Sequence, residues 1–189
     1  MKHDLTSFKT ALRHAPSTSI NAQLSRLVPF HQLTAITPPD WLYTSGKPQR
    51  YNPSGIECVY FGESLEVARA EYESALAAFT QNQPVTIFYA KAALKRVLDL
   101  TEAKTRKALG LELENLFQNW RRAKVPTTTQ LLGQAVSETK LLSAIKYPSK
   151  ILADRGQDGA NYVIFRDCVR APDSVIIHGP TGKPLQSWP

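Results

Sequence analysis

Apolar residues at helical spacing alternate along this chain with short runs of β-branched and aromatic residues. The clearest helix follows Gly62, where Leu65, Ala68, Tyr72, Ala75, Leu76 and Phe79 recur at intervals of three and four and predict a helix reaching Gln81. Ser64 stands at the N-cap position, Glu66 falls in the first turn, and Pro84 follows the end. A second helical pattern spans Thr127 to Ile145 through Leu131, Leu132, Ala135, Val136 and Leu142, and shorter ones cover 102–109 and 112–120. Strand composition marks 58–61, 85–90, 96–100, 162–165 and 174–177.

The flanks of these segments are less regular. Residues 1–29 predict a short amphipathic helix through Phe8 and Leu12, then Leu24 and Leu27, interrupted at Pro16. Residues 31–56 read as irregular chain with Pro38, Pro39, Gly46, Pro48, Pro53 and Gly55, and a long loop in a compact domain is often functional. Strands and helices mix without a regular β-α-β alternation. The expected class is α+β: a single compact domain, a mixed sheet with flanking helices.

Composition narrows the picture further. With 189 residues, 42% of them hydrophobic, the chain buries a core unaided, which sets aside fibrous, disulfide-scaffold and disordered classes. Cys58 and Cys168 belong to no paired motif and read as small buried hydrophobes. Met1 to Thr6 lacks the apolar stretch of a signal peptide and no segment reaches the length of a membrane span, so the expected location is the cytoplasm, away from membranes.

The 23 Lys and Arg against 16 Asp and Glu give a net charge of +7, which favours an anionic partner: nucleic acid, an acidic protein or a phosphorylated small molecule. Nucleic-acid binding calls for a basic helix or basic residues interleaved with aromatics. The densest run, Arg121-Arg122-Ala123-Lys124, is short and sits before Pro126 like a helix end. Direct nucleic-acid binding is therefore not expected.

Several chemistries lack their motifs. There is no GxGxxG, HExxH or GxSxG, and Gly179-Pro180-Thr181-Gly182-Lys183-Pro184 departs from a phosphate loop in spacing and in its final residue. The histidines His3, His14, His31 and His178 are scattered, so neither a His-based triad nor a metal site is expected.

Three features remain. On a helical wheel Glu71 lies about 80° from the centre of the apolar stripe, at the border of the core, where a carboxylate can look into a cleft. Arg50 stands in the loop Gly46 to Gly55 beside Tyr51 and Asn52, and arginine grips phosphate or carboxylate at two points. Ser149 follows Tyr147-Pro148, where proline forces an extended approach. Each also has a plain structural reading, as a satisfied border carboxylate, an exposed arginine and a turn serine.

Together, Arg50-Tyr51-Asn52-Pro53, Val59-Tyr60-Phe61, Ala68-Arg69-Ala70-Glu71, Tyr147-Pro148-Ser149 and Asn161-Tyr162 occur in an order that resembles the RES-domain family, named for an arginine, a glutamate and a serine. Gly55 and Trp120 also fall where that pattern has a glycine and a tryptophan. The likeness covers about residues 30–180. It divides the chain into an N-terminal extension, 1–29, and a catalytic domain, 30–189. The aromatic-arginine pair often found near the family's domain start is Phe30-His31 here, so the resemblance supplies no second arginine.

What the resemblance implies is an NAD-degrading enzyme with an ADP-ribosyltransferase-like fold, the toxin of a bacterial toxin-antitoxin pair. Glu71, Arg50 and Ser149 would be its catalytic residues. Glu71 would stabilise the positive ribose centre that forms as nicotinamide leaves, and Arg50 would hold the pyrophosphate. Tyr51 and Tyr60 would border the ligand, and Ser149 and Asn161 would offer hydrogen bonds. NAD is then a substrate rather than a cofactor, and no metal is called for. The implied partners are an Xre-type antitoxin and a second copy of the chain in a homodimer. Two other readings stay open: an ADP-ribosyltransferase acting on protein or nucleic acid, and a non-catalytic basic nucleic-acid-binding domain.

Overall fold

In the computed structural model, residues 3–35, 42–44, 46–76 and 84–189 are described. The helices are α1 (Leu5–Leu12), α2 (Phe30–Ala35), α3 (Leu65–Leu76), α4 (Ala103–Ala108), α5 (Leu113–Leu116), α6 (Thr128–Thr139) and α7 (Lys150–Ala153). The strands are β1 (Thr18–Pro29), β2 (Cys58–Gly62), β3 (Val85–Asp99), β4 (Ala144–Pro148), β5 (Ala160–Phe165), β6 (Ser174–His178) and β7 (Pro184–Trp188). Phe79, Gln81, Pro38 and Pro39 lie outside the described residues.

All seven strands join in one sheet of order β1-β2-β5-β4-β3-β6-β7, and β1 also pairs with β3. That extra pairing closes β1, β2, β5, β4 and β3 into a ring, with β6 and β7 continuing from β3. Every pairing is antiparallel except β3 with β4. The fold is α+β, a mixed sheet with flanking helices.

Side chains of the central strands alternate between two apolar cores. Val59, Phe61, Tyr162 and Ile164 join one with Leu24, Phe88 and Ile177, while Cys58, Val163, Phe165 and Tyr147 join another with α1, Leu132 and Val136 of α6. Burial on both faces explains why β2 and β5 read as unbroken apolar runs rather than as alternating ones.

Three expectations are corrected and one strand is new. Residues 18–29 are a strand, not a helix: β1 pairs along β3 from Thr18–Val97 to Pro29–Val85 and belongs to the same sheet as the strands beyond residue 30. Ile20, Ala22, Leu24 and Val28 all meet the same core, a period of two that the Leu24–Leu27 spacing masks. The two strands expected at 85–90 and 96–100 are one, β3. The helix expected to reach Ile145 ends at Thr139, where Lys140 turns left-handed (φ 53°), and Ile145 enters β4. Finally, β7 after the Gly179–Pro184 turn is a strand that its composition does not announce.

Candidate active site

A cavity of about 420 Å³ opens between β1, β2, the exposed side of α3, the Arg50 loop, the segment 117–121 and the start of α7. Its volume is in the range of small-molecule sites. Arg26, Arg50, Tyr60, Glu71 and Asn161 are all on its wall.

Glu71 arrives there because α3 starts hard against β2. A Cβ on Gly62 would sit 2.6 Å from the Ala68 nitrogen, so only glycine lets the helix lie this close. Ser64 Oγ accepts from Val67 N–H at 3.2 Å and caps the first turn. Two turns on, Glu71 Oε1 accepts from Ser149 Oγ at 2.7 Å and from Asn161 Nδ2 at 2.8 Å. Its second oxygen has no hydrogen-bond partner among the described residues.

Ser149 is buried and caps α7, with Leu152 N–H donating to its hydroxyl at 3.3 Å. The hydroxyl is thus committed to Glu71 and to its own helix, and Ser149 stands behind the carboxylate rather than on the cavity wall. Asn161 is fixed by β5, where it pairs with Gly62 of β2 and Tyr147 of β4.

Arg50 donates from Nη1 to the carbonyls of Leu116, at 2.7 Å, and Gln118, at 3.3 Å. Its loop is braced from inside. Asn52, fully buried, accepts from the Tyr60 hydroxyl at 2.9 Å and donates to the carbonyls of Lys47 and Ile56. Tyr51 N–H donates to the same Tyr60 oxygen at 2.9 Å. From the other side Gln130 of α6 donates to the Gln49 carbonyl at 2.9 Å.

Tyr60 therefore borders the cavity with its ring while its hydroxyl organises the loop, and burial drives that hydroxyl well above the ordinary tyrosine range. Tyr51 is different. It is fully buried, packs on Tyr147 with ring centroids 4.5 Å apart, and is absent from the cavity wall, so the expected ligand contact is corrected to a core role.

The pattern of motifs misses Arg26, a second arginine on the wall, contributed by β1. Its Nη1 donates to the Tyr60 carbonyl at 2.8 Å, while its buried Nε has no partner among the described residues. Burial pushes its pKa down, opposed by the nearby Cys58 and Tyr60. A charged guanidinium with an unmet buried donor is suited to an anion. The available signal was parity: Arg26 sits between Leu24 and Val28 on the inward-facing set of β1. The sequence pattern gives Tyr72 only as an apolar helix position. It also lines the cavity, and its buried hydroxyl has no partner among the described residues.

Among the described residues, no three His, Cys, Asp or Glu side chains converge as metal ligands, and no helix is long and apolar enough to cross a membrane. A chain in the crystal structure of the M. tuberculosis MbcT-MbcA toxin-antitoxin complex shares the fold, with a TM-score of 0.62 over 96% of this chain and 91% of that one. At 18% identity the likeness is one of architecture. No curated protein matches the sequence. The family model described as the RES domain, however, matches residues 24–185, a span that holds Arg26, Arg50, Tyr60, Glu71, Ser149 and Asn161 alike. With most of its length and its whole cavity inside that match, the chain belongs to the RES domain family.

Proposed function

We propose that this cavity cleaves the nicotinamide–ribose bond of NAD, and that the chain is the toxin of a toxin-antitoxin pair. The observation that carries the reading is the asymmetry of Glu71: two donors immobilise Oε1, and Oε2 is left for a ligand in a cavity whose wall also holds Arg26 and Arg50.

In this bond cleavage nicotinamide departs with the bonding electron pair as a neutral amide. It needs no proton, and one carboxylate suffices where ordinary glycosidases use two. Positive charge grows on the ribose carbon, and the free oxygen of Glu71 stabilises it and orients a ribose hydroxyl or the incoming nucleophile. Water, or phosphate, then bonds to that carbon and gives up a proton to solvent. Arg26 and Arg50 neutralise the diphosphate and hold the reacting ribose against Glu71. Asn161 and Ser149 keep the carboxylate from rotating. Kinship with ADP-ribosyltransferases belongs to the same reading.

The partner in this proposal is a cognate Xre-type antitoxin. Its support is twofold: the structural neighbour comes from a toxin-antitoxin complex, and a +7 surface suits an acidic protein face. Induced expression of the wild-type chain should collapse intracellular NAD, while E71A and R50A at matched soluble levels leave it intact. Undiminished NAD in the wild type overturns the reading. ADP-ribose found on protein or nucleic acid, rather than free, would shift it from hydrolysis or phosphorolysis to transfer.

A further inference from the structure

The cavity wall also carries chemistry that bond cleavage itself does not use. Phe117, Trp120 and Arg121 line it in sequence, within and beside the 3-10 turn Trp120–Arg122. Arg121 stacks its guanidinium over the Trp120 ring at 4.9 Å, and Lys150 holds its ammonium 5.8 Å from the Phe117 ring. Two half-buried aromatic rings, each backed by a cation, are thus presented along a single edge of the cavity.

This wall is held in place rather than hanging free. Arg50 grips it at the Leu116 and Gln118 carbonyls, Asn115 and Glu112 close a capping box on α5, and Gln118 Oε1 accepts from Thr128 N–H at 3.3 Å at the start of α6. The segment is therefore attached directly to the arginine assigned above to the diphosphate.

We propose that Phe117, Trp120 and Arg121 form the shelf for the second base of a dinucleotide substrate, the purine of its ADP-ribose half. The inference rests on the reading of Glu71 and Arg50 given above. A dinucleotide carries its reacting ribose, diphosphate and second nucleoside in a line. With the ribose on Glu71 and the diphosphate on Arg50, the remaining base reaches the segment that Arg50 itself holds. Purines stack well on indole and phenyl rings, and a flanking guanidinium strengthens such stacking. The role is one of affinity: the shelf acts on binding and leaves the bond-breaking step to Glu71.

Calorimetric titration of the wild type, W120A and W120F with ADP-ribose, and separately with inorganic pyrophosphate, tests this. Trp120 is partly exposed on a short turn, and matched circular dichroism will show that the variants fold. The shelf requires W120A to weaken ADP-ribose about tenfold, W120F to recover most of that loss, and pyrophosphate to bind all three alike. Equal ADP-ribose affinity in wild type and W120A, equal weakening of pyrophosphate, or no ADP-ribose binding by the wild type overturns it. Failure of the catalytic reading looks different. A wild type that binds ADP-ribose through Trp120 yet releases no nicotinamide from NAD removes the chemistry and leaves the shelf standing.

Discussion

Ser149 Oγ donates to Glu71 Oε1 at 2.7 Å, joining the start of α7 to the middle of α3 across 78 positions of sequence. The arginine, glutamate and serine of the family pattern therefore do not converge as three equals. Arg50 and Glu71 line the cavity, and Ser149 positions Glu71 from behind.

Replacement of Ser149 by alanine is accordingly expected to lower kcat for NAD about tenfold to a hundredfold while KM changes little, because a loosened carboxylate misorients the reacting ribose. Loss of the α7 cap should also cost about 1 kcal/mol of stability. Initial rates of nicotinamide release, with thermal melting alongside, check both. An unchanged kcat in S149A would remove Ser149 from the mechanism.

Gly133 of α6 makes a second test, away from the cavity. A Cβ there would fall 1.5 Å from the Tyr51 carbonyl oxygen, a backbone atom of the Arg50 loop. G133A should destabilise the protein by about 3 kcal/mol or more, since overpacking forces helix and loop apart. Its remaining folded fraction should bind ADP-ribose more weakly as Arg50 shifts. Chemical denaturation and titration of the same preparation measure the two effects.

What the sequence makes legible depends on the range of the interaction. The helix bearing Glu71 was legible because Leu65, Ala68 and Tyr72 repeat locally, and the wheel placed Glu71 at the core border, where the structure has it. Arg50, Tyr60 and Asn161 lie on the cavity wall. Ser149 and Tyr51 share the same motifs, but burial cannot be read from a motif. Whether either residue faces ligand or core is set by partners such as Glu71 for Ser149 and Tyr147 for Tyr51, far away in sequence and on other elements. Arg26 was missed for a related reason. Leu24 and Leu27 satisfy a helical spacing by accident, and only pairing with β3 selects the period of two that places Arg26. Likewise Leu142 and Ile145 continue the apolar rhythm of α6 past the left-handed Lys140, which hides β4 in the sequence.

Alkaline pH gives a further expected outcome. Burial raises the Cys58 thiol from 9.0 to about 12, against weaker lowering by its hydrogen bonds to Thr44 and Tyr60. The unfolded chain loses this proton first, so stability contributed by the neutral thiol is complete below pH 9 and is lost as pH rises toward 12. Cys58→Ser retains a donor for Asn52 Oδ1 but does not titrate there. Between pH 9 and 11 its unfolding free energy should fall less steeply than that of the wild type, by about 1 kcal/mol per pH unit. Parallel slopes in urea titrations across that range would show that Cys58 does not couple to folding.

The most direct test of the central claim is nicotinamide release from NAD by the purified chain, in buffers with and without phosphate, beside Glu71→Gln. The isosteric amide preserves shape and removes the charge that stabilises the ribose centre. The account expects stoichiometric nicotinamide and ADP-ribose, or its phosphorylated counterpart, from the wild type, and a rate at least about a thousandfold lower from E71Q. Full activity in E71Q, or none in folded wild-type protein, would contradict it.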